Sequence, residues 1–160
     1  MNLLKSVRTF VRLDMKTKLL LMEAYFQLAR GRYLKSISFS KVAPSLGEHM
    51  KETSNSSIPS NKGELARVSK AIHLMSRYTF WESQCLVKAL AGMKMLEKRN
   101  IDSTLYLGTA KDEKGEMIAH AWLRSGPFYI SGAEVMDRFT VVAKFAKETN
   151  GADPEGEKVG

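Results

Sequence analysis

Met117-Ile-Ala-His-Ala-Trp-Leu123 is preceded by Thr104-Leu-Tyr-Leu-Gly-Thr109 and followed by Phe128-Tyr-Ile-Ser131. Leu105 and Leu107 alternate onto one face of the first segment, and Ile118, His120 and Trp122 share a face of the second. Lys111-Asp-Glu-Lys-Gly115 and Ser125-Gly126-Pro127 supply turns between them. Three short alternating segments this close together predict an antiparallel meander. Immediately upstream the period changes: Leu86, Leu90, Met93 and Leu96 recur at helical spacing and predict a helix ending at Asn100. Helices followed by a short antiparallel sheet define an α+β chain.

Working back to the N-terminus, Leu4, Val7, Val11, Met15, Leu19, Met22, Phe26 and Ala29 keep helical spacing and predict helix up to about residue 47. Leu19 to Ala29 is apolar except for Glu23 and Gln27. That predicts burial over most of its circumference, against the chain itself, a partner protein or a membrane surface. Residues 52–63 are rich in Ser, Asn, Pro and Gly, and Leu65, Val68, Ile72 and Met75 then mark a further helix. The expected organisation is an N-terminal helical region (1–50), a polar linker (51–63), a core (64–147) and a disordered tail (148–160). Met15, Met22, Met75, Met93 and Met95 are expected to face the core.

Composition bounds the function. A chain of 160 residues fits one domain, and 44% hydrophobic with 26% charged residues excludes wholesale disorder. The single cysteine excludes a disulfide framework and a thiolate-rich metal site, and points to a reducing, cytoplasmic setting. Residues 1–80 carry 14 basic and 5 acidic side chains, whereas 81–160 carry 11 and 12, so the net +8 belongs to the N-terminal half. An anionic partner surface is expected there. A basic helical module for nucleic acid is one alternative, but no recognition motif accompanies the charge, so no nucleic acid is expected. No stretch approaches the roughly 20 apolar residues of a membrane span. His49 and His73 do not make a zinc motif with Cys85, and no phosphate-cradling glycine loop is present, so no metal or other cofactor is expected.

Cys85 lies in Thr79-Phe-Trp-Glu-Ser-Gln-Cys85, at the front of the predicted helix. Two starts compete. Thr79 with Glu82 forms a capping box that puts Cys85 in the second turn; Ser83 as N-cap makes Cys85 the second helical residue, where free amides and the helix dipole favour a thiolate. A histidine inside an apolar strand needs a partner for its ring N–H. As a core residue His120 is ordinary. Paired with a cysteine at a helix start it becomes the base of a thiol nucleophile. A group that orients the imidazole should follow near residues 128–137, where Glu134 and Asp137 are the carboxylates. The backbone N–H of Cys85, with the Gln84 side chain or the Trp81 indole, could bind an oxyanion.

Four segments in order carry a resemblance: Ala71-Ile-His-Leu-Met-Ser-Arg-Tyr-Thr-Phe-Trp81, Cys85-Leu86, Leu105-Tyr-Leu-Gly-Thr109 and Ala119-His-Ala-Trp-Leu123. Over roughly residues 65–145 the chain resembles the transglutaminase-like leader peptidases of lasso-peptide biosynthesis. The resemblance implies a papain-like cysteine protease core in which Cys85 is the nucleophile and His120 the base. It implies removal of the leader from a ribosomally made precursor, freeing the amino terminus on which an ATP-dependent cyclase closes a macrolactam. Nothing in residues 1–64 reads as the family's leader-recognition domain, so a separate recognition protein is expected as partner. The family commonly has an aspartate about a dozen residues after the histidine, where this sequence has Gly132. Glu134 after a small shift, a backbone carbonyl, or no third group at all remain open. That gap also sustains another alternative, a non-catalytic transglutaminase-like scaffold in the maturation complex.

Overall fold

The computed structural model describes residues 3–56, 61–81 and 84–149. The proposed capping residues Glu82 and Ser83, part of the linker, and residues 150–160 of the expected tail lie outside the described residues. Among the described residues five α-helices precede the second strand: α1 (Leu3–Arg12), α2 (Met15–Ser36), α3 (Phe39–Val42), α4 (Lys62–Met75) and α5 (Cys85–Glu97). Asp14 caps α2, accepting from the Thr17 N–H at 3.0 Å and the Thr17 hydroxyl at 2.6 Å. These contacts hold the Asp14 carboxyl below the usual range.

The sheet holds five antiparallel strands: β1 (Glu48–His49), β2 (Ser103–Lys111), β3 (Met117–Ser125), β4 (Phe128–Ser131) and β5 (Thr140–Lys147). Its order is β1-β5-β2-β3-β4. The predicted meander is therefore β2-β3-β4, and β5 returns past it to fill the place between β1 and β2. Thr-Val-Val-Ala-Lys-Phe-Ala-Lys does not alternate cleanly, because Val141 and Val142 are both exposed and the β2–β5 register shifts at Leu107/Gly108. That irregularity is why a period-two pattern does not announce it.

One layer of helices packs on one face of the sheet. Leu28, Ile72, Val87, Met95, Leu105 and Leu123 are fully buried between them. Truncating such a leucine to alanine costs about 3 kcal/mol. A Cβ on Gly31 would meet the Val87 carbonyl oxygen at 2.8 Å, so glycine lets α2 lie directly on α5. Arg99, just beyond α5, ties the helices together: it donates to Glu23 of α2 at 2.7 and 3.0 Å and to Glu64 of α4 at 2.6 Å.

Burial divides α2 differently from the expectation. Leu20, Leu21, Ala24 and Leu28 are buried, whereas Leu19, Met22 and Phe26 are exposed. Of the methionines expected inside, Met93 and Met95 are buried, Met75 is half-buried, and Met15 and Met22 face outward. The helix is apolar on two opposite sides, and only one of them meets the core. Part of the polar segment after β1 is fastened to the sheet. Thr53 is buried with its N–H donating to the Thr104 hydroxyl at 2.9 Å. The buried Arg124 guanidinium donates to the carbonyl of Thr53 at 3.1 Å and to Asn55 Oδ1 at 3.0 Å. Among the described residues no helix is long and apolar enough to cross a membrane.

Candidate active site

Cys85 is the first residue of α5, with Gln84 in extended conformation as the N-cap. The helix thus starts later than either sequence-based boundary, and Thr79 belongs to the preceding loop. The first α5 bond runs from the Lys88 N–H to the Gln84 carbonyl at 3.0 Å, so the amides of Cys85, Leu86 and Val87 have no acceptor within the helix. No acidic residue sits in this first turn. Lys35, near the end of α2, donates to Gln84 Oε1 at 2.9 Å and brings a cation to the same turn. The thiol is half-buried, packed with Trp81 and Leu86 against the core, in a setting of positive potential.

Trp81, in the loop before α5, packs against the same core as Cys85. Its ring lies 5.2 Å from Tyr25 of α2 and 4.6 Å from Phe80, and its indole Nε1 is buried without a hydrogen-bond partner among the described residues. An orphaned buried donor is costly unless something accepts from it.

His120 is half-buried on β3, flanked by the rings of Trp122 at 5.9 Å and Phe139 at 4.9 Å. It pairs across the sheet with Gly108, where a Cβ would strike the Trp122 ring at 2.9 Å. His120 Nε2 lies 2.7 Å from the carbonyl oxygen of Gly132. A carbonyl only accepts, so Nε2 carries a proton, and in the neutral ring the basic lone pair is that of Nδ1. Gly132 has φ 78° and ψ 6°, and a Cβ there would lie 2.3 Å from the Ala121 carbonyl oxygen. No aspartate fits this position with the observed backbone; the glycine's left-handed turn supplies the oxygen instead.

The carboxylates expected near the imidazole stand elsewhere. Glu134 is exposed, with Oε1 3.8 Å from Nε2 of His73, whose Nδ1 lies 2.8 Å from the Ser69 carbonyl oxygen. Asp137 is also exposed, and neither carboxylate bonds His120. Nor does a hydrogen bond join His120 to Cys85. The β2–β3 register puts His120, Trp122 and Tyr106 on one face of the sheet, while Leu105, Ala121 and Leu123 form the other, which receives α5. Beside His120 the sheet ends, because β4 pairs only with Leu123 to Ser125. Cys85, at the start of the helix on one face, and His120, on the opposite face, are not brought together, and the Gly132 turn packs along β3 beside His120. Among the described residues no three His, Cys, Asp or Glu side chains converge as a metal site.

A family model of the transglutaminase-like superfamily matches residues 33–144. The chain belongs to that superfamily, and the match takes in the end of α2, the Cys85 turn and the His120 strand. No curated protein and no solved structure matches the chain.

Proposed function

We propose that this protein is a cysteine peptidase that removes the leader of a lasso-peptide precursor, presented by a separate recognition protein, before macrolactam closure. The observation that supports it best is Cys85 as first residue of a helix with free amides, within a transglutaminase-like domain that also supplies a histidine of fixed tautomer. The likeness of the Trp81–Cys85 and His-Ala-Trp segments to the leader peptidases supports the substrate.

In the reaction, Nδ1 of His120 takes the Cys85 thiol proton while Sγ bonds to the scissile carbonyl carbon. The carbonyl π pair moves to oxygen, which accepts from the Cys85 N–H and the Trp81 indole N–H. When the tetrahedral centre collapses, the C–N bond breaks and the imidazolium returns its proton to the leaving amine, freeing the core peptide. Water then attacks the thioester, with His120 again accepting a proton, and releases the leader as a carboxylic acid. Because no hydrogen bond joins Cys85 to His120, whose side chain lies on the sheet face opposite the one that receives α5, the pair must close on bound peptide; catalytic hydrogen bonds commonly tighten only in the complex.

That separation favours a second reading, a non-catalytic scaffold bridging cyclase and recognition protein. Mass spectrometry of the precursor, incubated with recognition partner and enzyme, distinguishes them. Wild type cuts once, between leader and core, and Cys85→Ala or His120→Ala lowers the rate by about a thousandfold or more. Undiminished cleavage by Cys85→Ala overturns the peptidase, and no cleavage by wild type favours the scaffold.

A further inference from the structure

Among the described residues the outer side of α2 has no partner. Met15, Leu19, Met22, Phe26 and Tyr33 follow one another at intervals of 4, 3, 4 and 7 residues, all exposed, on the side opposite buried Leu21, Ala24 and Leu28. At 1.5 Å per residue the stripe is about 27 Å long. Such spacing is the seam that an amphipathic helix presents to another helix. Lys16, Lys18, Arg30 and Arg32 border it, and none of them is in an ion pair among the described residues. Of the acids beside it, Glu23 is engaged by Arg99 and Asp14 by the helix start.

The stripe leads to the loop that precedes α5. Its last turns open into a groove of about 400 Å³, lined by Ala29, Arg32, Tyr33, Ser36, Phe80 and Trp81. Phe80 is 91% exposed, its ring 4.6 Å from that of Trp81, an unusual position for a large apolar side chain. Trp81 stands four residues before Cys85.

We propose that this face is the substrate's docking site. It takes an acidic amphipathic segment of the peptide, apolar side chains three and four residues apart with Asp or Glu between them, bound as a helix along α2. The chain beyond that helix passes over Phe80 and Trp81 to Cys85. The identity of the occupant as substrate rests on the peptidase reading above; the seam, its basic borders and its continuity with the Phe80–Trp81 groove do not. A second copy of the chain would set the four basic residues against themselves, which disfavours it as occupant. Apolar contacts anchor the helix and the charges orient it.

Fluorescence anisotropy of the full chain with labelled probe peptides tests the proposal. One probe of about 21 residues carries Leu at helical seam positions and Glu between; the second replaces Glu by Lys; the third scrambles the order. The Glu probe should bind at least about tenfold tighter than either other, and weaken severalfold between about 50 and about 300 mM salt. Phe26→Ser and Phe80→Ser, at exposed positions, should each weaken it at least about fivefold without shifting the melting temperature, and Cys85→Ala should leave it unchanged. Equal affinity for the three probes, no effect of the two serine variants, or binding to vesicles with anionic headgroups in place of peptide would overturn the proposal. So would a stable dimer that Phe26→Ser dissociates. Cys85-dependent cleavage that the serine variants leave untouched would remove the docking face and keep the peptidase. Tight Glu-probe binding by a protein that cuts no precursor would do the reverse.

Discussion

The imidazole of His120 owes its orientation to a residue with no side chain. A carboxylate in that place would both fix the tautomer and stabilise the imidazolium; the Gly132 carbonyl fixes the tautomer but brings only a dipole. Counting along the sequence reaches Gly132 but cannot show its carbonyl turning toward the ring, since that follows from a φ of 78°. The carboxylates are legible as residue types, yet Glu134 faces His73. Gly132→Ala should cost about 2 kcal/mol in chemical denaturation, because the new Cβ meets the Ala121 carbonyl in a left-handed conformation. Trp81→Phe keeps the stacking and removes the indole N–H. If that donor serves the oxyanion, kcat for leader cleavage falls about a hundredfold while KM and the melting temperature stay put. An unchanged kcat would take Trp81 out of the chemistry.

Elements were legible where the pattern was regular. The helix after Cys85 and the β2-β3-β4 meander follow from their apolar periods, with ends displaced by a few residues. β1 is two residues long and β5 is irregular, so neither carries a readable period. The two-sided apolar character of α2 is visible in the sequence, but only tertiary packing decides which side is inside. Arg99 is likewise silent in sequence, since its partners lie 76 and 35 residues away. Arg99→Met should destabilise the fold by about 2 kcal/mol, as it leaves the partly buried Glu23 carboxylate with only the more exposed Lys98, 3.8 Å away. Adding Glu23→Gln should recover a good part of that loss, and strictly additive effects would contradict the coupling.

At the scale of the whole molecule, one helical layer lies on a five-stranded antiparallel sheet, with Cys85 opening α5, His120 on β3 and the basic α2 packed against α5. The charge asymmetry was legible in the sequence; its alignment beside an apolar stripe was not. Acid stability follows from the same network. The hydrogen bond from Arg99 holds the Glu23 carboxyl below its ordinary 4.5, so its contribution is present above that value and is lost as pH falls through the lower folded one. The melting temperature should therefore drop on acidification below about pH 4.5, less steeply in Glu23→Gln. Identical profiles would contradict that linkage.

The central claim is that Cys85 and His120 act as one chemical unit. The most direct measurement is the rate of leader cleavage from precursor presented by the recognition protein, in wild type, Cys85→Ala, His120→Ala and the double variant. If the two side chains act together, each single variant lowers the rate about a thousandfold or more and the double variant is no slower than either. Strictly additive losses in the double variant, or a single variant that cuts as fast as wild type, would contradict it.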